Sequence, residues 1–239
     1  MNNTKAKSSQ ITTLTLIKYP SLKTKFWAFG MMQYAHQYLS NVQGMTFYKL
    51  MGSGKGLGFN PFPDWSTYAL LQVWETETDA INFVESSQLM SLYANNSSEQ
   101  ITLFMKNITA HGKWSKQQPF NVSDSLNESQ YPIAVITRAT IKTSQLRRFW
   151  KFVPTAQKPI ESANGLIYTK GIGEIPIKQM ATFSVWKNLD YVKQYAYQSR
   201  EHAKAIKMTR QHNWYSEELF ARFHLYKTIG NWKDIQIQF

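Results

Sequence analysis

The sequence contains no cysteine, few acidic residues and no long apolar run. Without cysteine there are no disulfides, thiolate metal or haem ligands, iron–sulfur clusters or cysteine nucleophiles. Fifteen acidic residues stand against 27 lysines and arginines, so the formal net charge is +12. No apolar run approaches the roughly 18 residues of a membrane-spanning helix. The 43% hydrophobic and 15% aromatic content is typical of a folded protein with a substantial core.

The positive charge is spread along the chain, without blocks of like charge or a recognisable nucleic-acid-binding signature. We therefore expect a solvated basic surface and no nucleic-acid partner. Residues 1–10 lack the apolar core of a secretory signal and are expected to form a loose tail. These features favour a cytoplasmic protein, and peripheral association with an anionic inner membrane surface stays open.

The same order of elements is predicted twice along the chain. Residues 11–114 and residues 131–239 each read as strand, helix, strand, strand, helix, strand, and the polar residues 115–130 are expected to link them. Glycine–x–tryptophan ends both halves, at Trp114 and Trp232. We therefore predict an α+β fold of two tandem ferredoxin-like units whose bare sheet faces pack together in a pseudo-twofold, barrel-like sandwich.

Helical periodicity and capping residues place the helices. They are expected at residues 23–39, 79–93, 144–151 and 190–209. Asp190 is the expected cap of the last helix. The helix that begins at residue 144 is expected to be interrupted at Pro154 and Pro159.

One histidine lies on the last predicted helix. His202 falls on the edge of the apolar stripe, and its ungapped counterpart in the first half is Met90. A ligand-capable side chain in one copy and an apolar one in the other indicate a single pocket in the second half. The alternative is a structural or surface histidine. The five histidines show no metalloprotease spacing, and the chain has no serine nucleophile elbow.

The glycine-rich segment, residues 52–65, matches neither a phosphate-binding loop nor a dinucleotide fingerprint. Its glycines are followed by Phe59, Phe62 and Trp65, which favours an aromatic flap over an apolar pocket. A plain hairpin insertion is the alternative.

Two long segments resemble the spheroidene monooxygenase family of acyclic-carotenoid oxygenases. They are residues 47–59, followed by Pro61, Pro63 and Trp65, and residues 209–223, and the resemblance extends over about residues 14–232. It implies an oxygenase that contains haem b and introduces a keto group into an acyclic carotenoid, with O₂ and an electron donor protein as further partners. More distantly, the doubled unit resembles the dimeric α+β barrel superfamily, in which a helix histidine of the working half binds haem iron.

The resemblance implies roles for eight residues. His202 is the expected iron ligand, and Arg210 or Lys207 would pair with the haem propionates. Arg222 and Arg138 are candidate catalytic donors toward oxygen, and Phe59, Phe62 and Trp65 are candidate contacts for the lipophilic substrate. Two other classes stay open: a haem-binding or haem-trafficking protein without oxygenase activity, and a cofactor-free small-molecule-binding module of the same fold. The oligomeric state is also open.

Overall fold

Eight strands of the described chain close into an antiparallel barrel. The computed structural model describes residues 9–57, 60–123, 131–161, 163–198, 208, 211 and 213–237. The strands are β1 (Ile11–Lys18), β2 (Met45–Gly54), β3 (Pro63–Trp74), β4 (Glu99–Gly112), β5 (Ile133–Ile141), β6 (Leu166–Ile175), β7 (Gln179–Trp186) and β8 (Tyr215–Asn231). They follow each other around the barrel as β1-β3-β2-β6-β7-β5-β8-β4. The predicted α+β class is confirmed.

Helices lie between the strands of both halves. They are α1 (Leu22–Tyr34), α2 (His36–Leu39), α3 (Glu77–Ser86), α4 (Gln88–Asn96), α5 (Leu146–Glu161) and α6 (Leu189–Gln198). No helix in the described ranges is both long and apolar enough to cross a bilayer.

The barrel interior is an apolar core to which all eight strands contribute. Strand alternation explains its composition, because successive side chains of a strand point to opposite faces of the sheet. In β8, Leu219, Ala221 and Phe223 are buried in this core, whereas the intervening Phe220 is exposed. The alternation predicted for this strand is confirmed.

Two tryptophans follow β4 and β8 in the chain and pack into the barrel core. Trp114 follows Gly112 and Trp232 follows Gly230, and both glycines have a φ of 92°. A Cβ at Gly112 would lie 2.1 Å from the carbonyl oxygen of Glu218, and a Cβ at Gly230 would lie 2.2 Å from that of Gln100. Only glycine therefore fits at the two positions where the chain turns each indole inward.

An ion-pair network lies on the inner face of the sheet beneath Trp114. Arg138 is 2% exposed, and its guanidinium binds Glu217 and Glu174 and lies 5.6 Å from the centre of the Trp114 ring. The Nζ of Lys49 is 2.7 Å from Glu174. The two carboxylates balance the buried guanidinium, which would otherwise carry a large desolvation penalty.

Several helix boundaries differ from the prediction. The helix expected at residues 23–39 is divided at Ala35 into α1 and α2. The single helix expected at residues 79–93 is broken at Ser87, whose backbone is extended and whose side chain accepts a hydrogen bond from the Met90 N–H, so that it caps α4. The helix expected to be capped by Asp190 is instead capped by Asn188, whose Oδ1 accepts from the N–H groups of Asp190 and Tyr191.

The prediction that prolines interrupt the fifth helix was wrong. α5 continues through Pro154 and Pro159 to Glu161. A proline inside a helix costs about 3 kcal/mol, but buried apolar side chains hold this helix near both ends, Phe149 against Trp214 and Ile160 further along. The packing offsets the lost backbone hydrogen bonds.

Part of the predicted linker packs on the barrel. Phe120 is buried, with its ring centre 5.1 Å from that of Phe223, and the hydroxyl of Ser123 donates to the carbonyl of Gln10. Residues 124–130 and most of the expected N-terminal tail lie outside the described residues.

The Arg138 network predicts a pH dependence of stability. Burial raises the pKa of Glu217, but hydrogen bonds from the backbone of Lys116 and Ser115 and from Arg138 outweigh it and hold this pKa below its usual value. The Glu217→Gln variant should lose on the order of 2 kcal/mol of unfolding free energy at pH 7. Because the folded-state pKa is depressed, this difference is present above about pH 4.3 and disappears as the pH falls through the folded-state pKa.

Urea unfolding of wild type and variant at pH 7, 5 and 3 measures this effect. Glu218→Gln, at the exposed neighbouring carboxylate, is the matched control and should change little at any pH. If Glu217→Gln lost the same unfolding free energy at pH 7 and at pH 3, ionised Glu217 would not be the source of the stabilisation.

Candidate functional site

The outer face of the second-half sheet carries a row of small side chains. Gly171, Thr182 and Thr137 pair in register across β6, β7 and β5, and Phe220 of β8 continues the row. Their neighbours along each strand, such as Ile136 and Ala181, belong to the barrel core. The row therefore faces outward, on the side that carries the helices.

The corresponding row of the first half holds larger side chains on two of its four strands and is filled. Leu50, Leu70, Thr15 and Thr102 pair across β2, β3, β1 and β4, and all four are buried. They lie beneath a large apolar cluster to which α1, α3 and α4 contribute. Leu50 and Gly171 occupy matching positions, as do Leu70 and Thr182, so two leucines are replaced by smaller residues in the second half.

The second-half row is open where the first-half row is closed. Thr137 is exposed on a strand with neighbours on both sides, whereas Thr15 is fully buried. Apolar clusters cover the sheet on both sides of Thr137: Ile133 and Val135 pack with α6, and Ile141 packs with α5. The area between these two clusters, which the described helices leave uncovered, is called the recess below.

Two polar groups beside the recess lack hydrogen-bond partners among the described residues. Arg222 and Thr169 lie in the adjacent outward-facing row, with Ser184 and Val135 between them. The Nε of Arg222 and the Oγ1 of Thr169 are both buried and unpartnered within that part of the chain. Desolvation of such a group without a hydrogen bond is costly, so both atoms are available to bind a polar group or a water molecule. Within the described ranges, Arg222 is a cationic donor beside the recess that could meet a ligand there.

Arg138 is on the opposite side of the sheet from Arg222. It faces the barrel interior, where Glu174 and Glu217 already bind its guanidinium. The structure gives Arg138 an ion-pairing role in the core and does not bring it together with the recess. Sequence periodicity could not assign its face, because residues 133–136 are apolar on both sides of the strand.

The candidate substrate contacts lie on the first half. Trp65 is half exposed, and its ring centre is 5.4 Å from that of Phe29 on α1. Phe62, at the base of the hairpin turn, is 68% exposed. The Trp65 ring thus lies against α1, and the flap interpretation remains a prediction.

Four predicted site residues lie outside the described residues. They are His202, Lys207, Arg210 and Phe59. α6, which precedes the first three, packs on the sheet at one side of the recess, where the Tyr195 and Trp186 ring centres are 5.2 Å apart. Sequence reasoning missed Gly171, Thr182 and Thr137, although the alignment of the two halves already contrasts Leu50 and Leu70 with smaller residues.

Comparisons with known proteins identify the class of this protein. No family model matches the chain. The spheroidene monooxygenase of Cereibacter sphaeroides is 32% identical over 225 residues, which are 94% of this chain and 69% of the relative. The spheroidene monooxygenase of Rhodobacter capsulatus is 31% identical over 223 residues, 93% of this chain and 92% of the relative. These relatives define an oxygenase enzyme.

Solved structures support the fold. Two structures of aldoxime dehydratase superpose with TM-scores of 0.61 and 0.59 at 9% identity, and the matches cover 91% of this chain and 82% and 80% of theirs. At that identity the likeness concerns the fold alone. The sequence relatives go further, and the chain belongs to the spheroidene monooxygenase family.

The contrast between the two sheet faces predicts that matched substitutions change the free energy of unfolding by different amounts. Leu70→Thr removes a fully buried side chain and should lower the free energy of unfolding by about 2–4 kcal/mol. Thr182→Leu places a larger side chain beside the recess and should change the free energy of unfolding by less than about 1 kcal/mol. Urea unfolding measures both variants. A Thr182→Leu loss as large as that of Leu70→Thr would show that the second-half face is as tightly packed as the first.

Proposed function

We propose that this enzyme is a haem-dependent monooxygenase that introduces oxygen, as a keto group, into an acyclic carotenoid. The family membership supports the reaction class, because the relatives are named for monooxygenation of spheroidene. The observation that carries the cofactor is the recess: small side chains and an exposed Thr137 in the second half, where the first half is filled.

The residues at the recess fit a porphyrin. A haem is a flat, largely apolar plate that needs space between helix and sheet, one axial ligand and cationic partners for its propionates. Between α5 and α6 the row carries only Gly171, Thr182 and Thr137 on β6, β7 and β5, and beside it lies the Nε of Arg222, which has no hydrogen-bond partner among the described residues. A haem iron is held by one or two side chains, so it requires no cluster of metal-ligating residues.

Three residues of the second half would bind the haem. His202 would supply the imidazole that binds the iron, since it follows α6 in the chain and stands where the first half has the apolar Met90. Arg210 and Lys207 would pair with the propionates. Haem, when bound, supplies the activation of O₂ that the side chains of this chain cannot provide.

Arg222 and the apolar walls would act on the reacting groups. The guanidinium of Arg222 can donate to an oxygen atom that gains negative charge in the recess, and a buried, preorganised donor is more effective than one in water. The exposed ring of Phe220 lies in the same row as Thr137 and provides apolar surface for a polyene chain. These contacts would orient the substrate and exclude water.

We also infer that the barrel is two tandem ferredoxin-like units related by a pseudo-twofold axis, as in dimeric α+β barrels. The strand order is β4-β1-β3-β2 in one half and β8-β5-β7-β6 in the other, so the halves correspond strand by strand. Reciprocal ion pairs support the relation. Lys49 of β2 binds Glu174 of the second half at 2.7 Å, and its counterpart Lys170 binds Asp64 of the first half at 2.8 Å.

Replacing the axial histidine tests the cofactor. The purified wild-type protein, reconstituted with haemin, should show a Soret band, and His202→Ala should lose it because the iron has no axial ligand. His111→Ala, at an exposed histidine of β4, is the control and should keep the band. An unchanged Soret band in His202→Ala would remove the ligand assignment, and a wild type that never takes up haemin would remove the cofactor.

Replacing Arg222 tests the oxygenase activity separately. Arg222→Leu should keep the Soret band but lower turnover of an acyclic carotenoid by about 10²–10³-fold, the effect of losing one preorganised donor. Turnover is measured with a reductant and isotopically labelled O₂, by mass spectrometry of the keto product. Arg147→Leu, at an exposed arginine of α5, is the control. Normal turnover in Arg222→Leu would contradict its role, and a haem-loaded wild type that never oxidises the substrate would favour a carrier.

A further inference from the structure

Every charged residue in the first quarter of the sequence is basic. The first acidic residue is Asp64, and the 63 residues before it contain seven lysines and no arginine. Asp64 itself accepts hydrogen bonds from Ser66 and from Lys170, the latter at 2.8 Å. The surface built from α1 and the β2–β3 hairpin therefore carries cations without a free carboxylate from these segments.

The outward face of α1 is apolar. Leu22, Phe26 and Phe29 are spaced by four and three residues, so they share one side of the helix, and they are 75%, 76% and 56% exposed. The opposite side, with Ala28 and Met31, is buried against the sheet. A helix with apolar side chains on both its buried and its outward side is normally enclosed on both by protein or lipid, yet nothing in the described chain covers this outward face.

The β2–β3 hairpin extends the same surface. Trp65 packs edge-on against Phe29 with ring centres 5.4 Å apart, and Phe62 precedes it by three residues in the chain and is exposed. Leu22, Phe26, Phe29, Phe62 and Trp65 are called the aromatic patch below. Such exposed apolar groups mark an interaction site.

Lysines accompany the patch on both elements. Lys23 and Lys25 lie on α1, and Lys55 lies in the hairpin turn; Lys23 and Lys55 are exposed. Aromatic side chains combined with lysines are the composition of surfaces that insert into the interface of an anionic bilayer, where rings enter the headgroup region and ammonium groups meet phosphate.

We propose that the aromatic patch docks this protein on the surface of an anionic phospholipid bilayer. A second copy of the chain would fit less well, because a twofold contact brings the same patch of both molecules together. Lys23, Lys25 and Lys55 would then face their own copies in a protein of net charge +12, without carboxylates from α1 or the hairpin turn to pair with. The proposal does not rest on haem binding or on the proposed reaction.

Sedimentation with vesicles tests the docking. Wild-type protein should bind vesicles of phosphatidylglycerol and phosphatidylcholine, bind pure phosphatidylcholine at least about tenfold more weakly, and lose affinity as salt increases. The Phe26→Ser/Phe29→Ser/Trp65→Ser variant should bind the anionic vesicles at least about tenfold more weakly, because the rings no longer insert. Lys23→Gln/Lys25→Gln/Lys55→Gln should lose the preference for anionic lipid while keeping the apolar contact.

The matched control replaces an exposed apolar residue elsewhere. Ile175→Ser changes a residue that is 48% exposed at the end of β6 and should leave vesicle binding unchanged. Circular dichroism and thermal unfolding verify that each variant is folded. The Soret band of the triple serine variant reports on the recess, so loss of docking and loss of the cofactor are distinguished.

Three outcomes would overturn the proposal. The first is wild-type protein that binds neither type of vesicle, and the second is binding that is unchanged in the folded triple serine variant. The third is a dimer in light scattering that the triple serine variant converts to monomer without any vesicle binding, which would make the patch a contact between two copies.

Discussion

Closure of the sheet around one apolar interior is the constraint on which the rest of the structure depends. Every strand contributes its inward side chains to that interior, and Trp114 and Trp232 pack into the same core. Apolar side chains fill much of this interior, and the core residues Ile101, Trp232 and Ile235 line an opening beside β4 and β8. The outer faces of the sheet, beneath or beside the helices, offer the other places where a ligand could bind. The two halves differ on those outer faces, so the difference between them, more than the shared fold, decides where a ligand can bind.

Much of the fold was predictable because it depends on local alternation. The strand expected at residues 133–141 matches β5, and the inward-facing residues of β8 were predicted correctly. The errors lie where a local rule competes with packing. Ser87 breaks a helix that apolar periodicity alone would continue, because a serine can cap the next helix. Pro154 fails to break α5, because packing offsets the loss of a backbone hydrogen bond.

The site was harder to predict, because strand face and long-range pairing are not encoded in short segments. Arg138 has apolar neighbours on both sides of its strand, so its inward direction became clear only with Glu174 and Glu217, which are 36 and 79 residues away. The recess had a readable signal in the replacement of Leu50 and Leu70 by Gly171 and Thr182. That signal acquires meaning only when all four positions are known to face outward, which requires the register of the sheet.

The filled face of the first half also has an energetic consequence for the open one. Each square ångström of apolar surface left exposed on an outer sheet face loses roughly 25 cal/mol of stabilisation. Such losses matter because the net free energy of unfolding of a protein is small. Here α1, α3 and α4 share one large apolar cluster with the first-half sheet, whereas the described parts of the second-half helices contact the sheet in two smaller clusters. The first half therefore contributes apolar burial between helices and sheet that the described part of the second half lacks around Thr137.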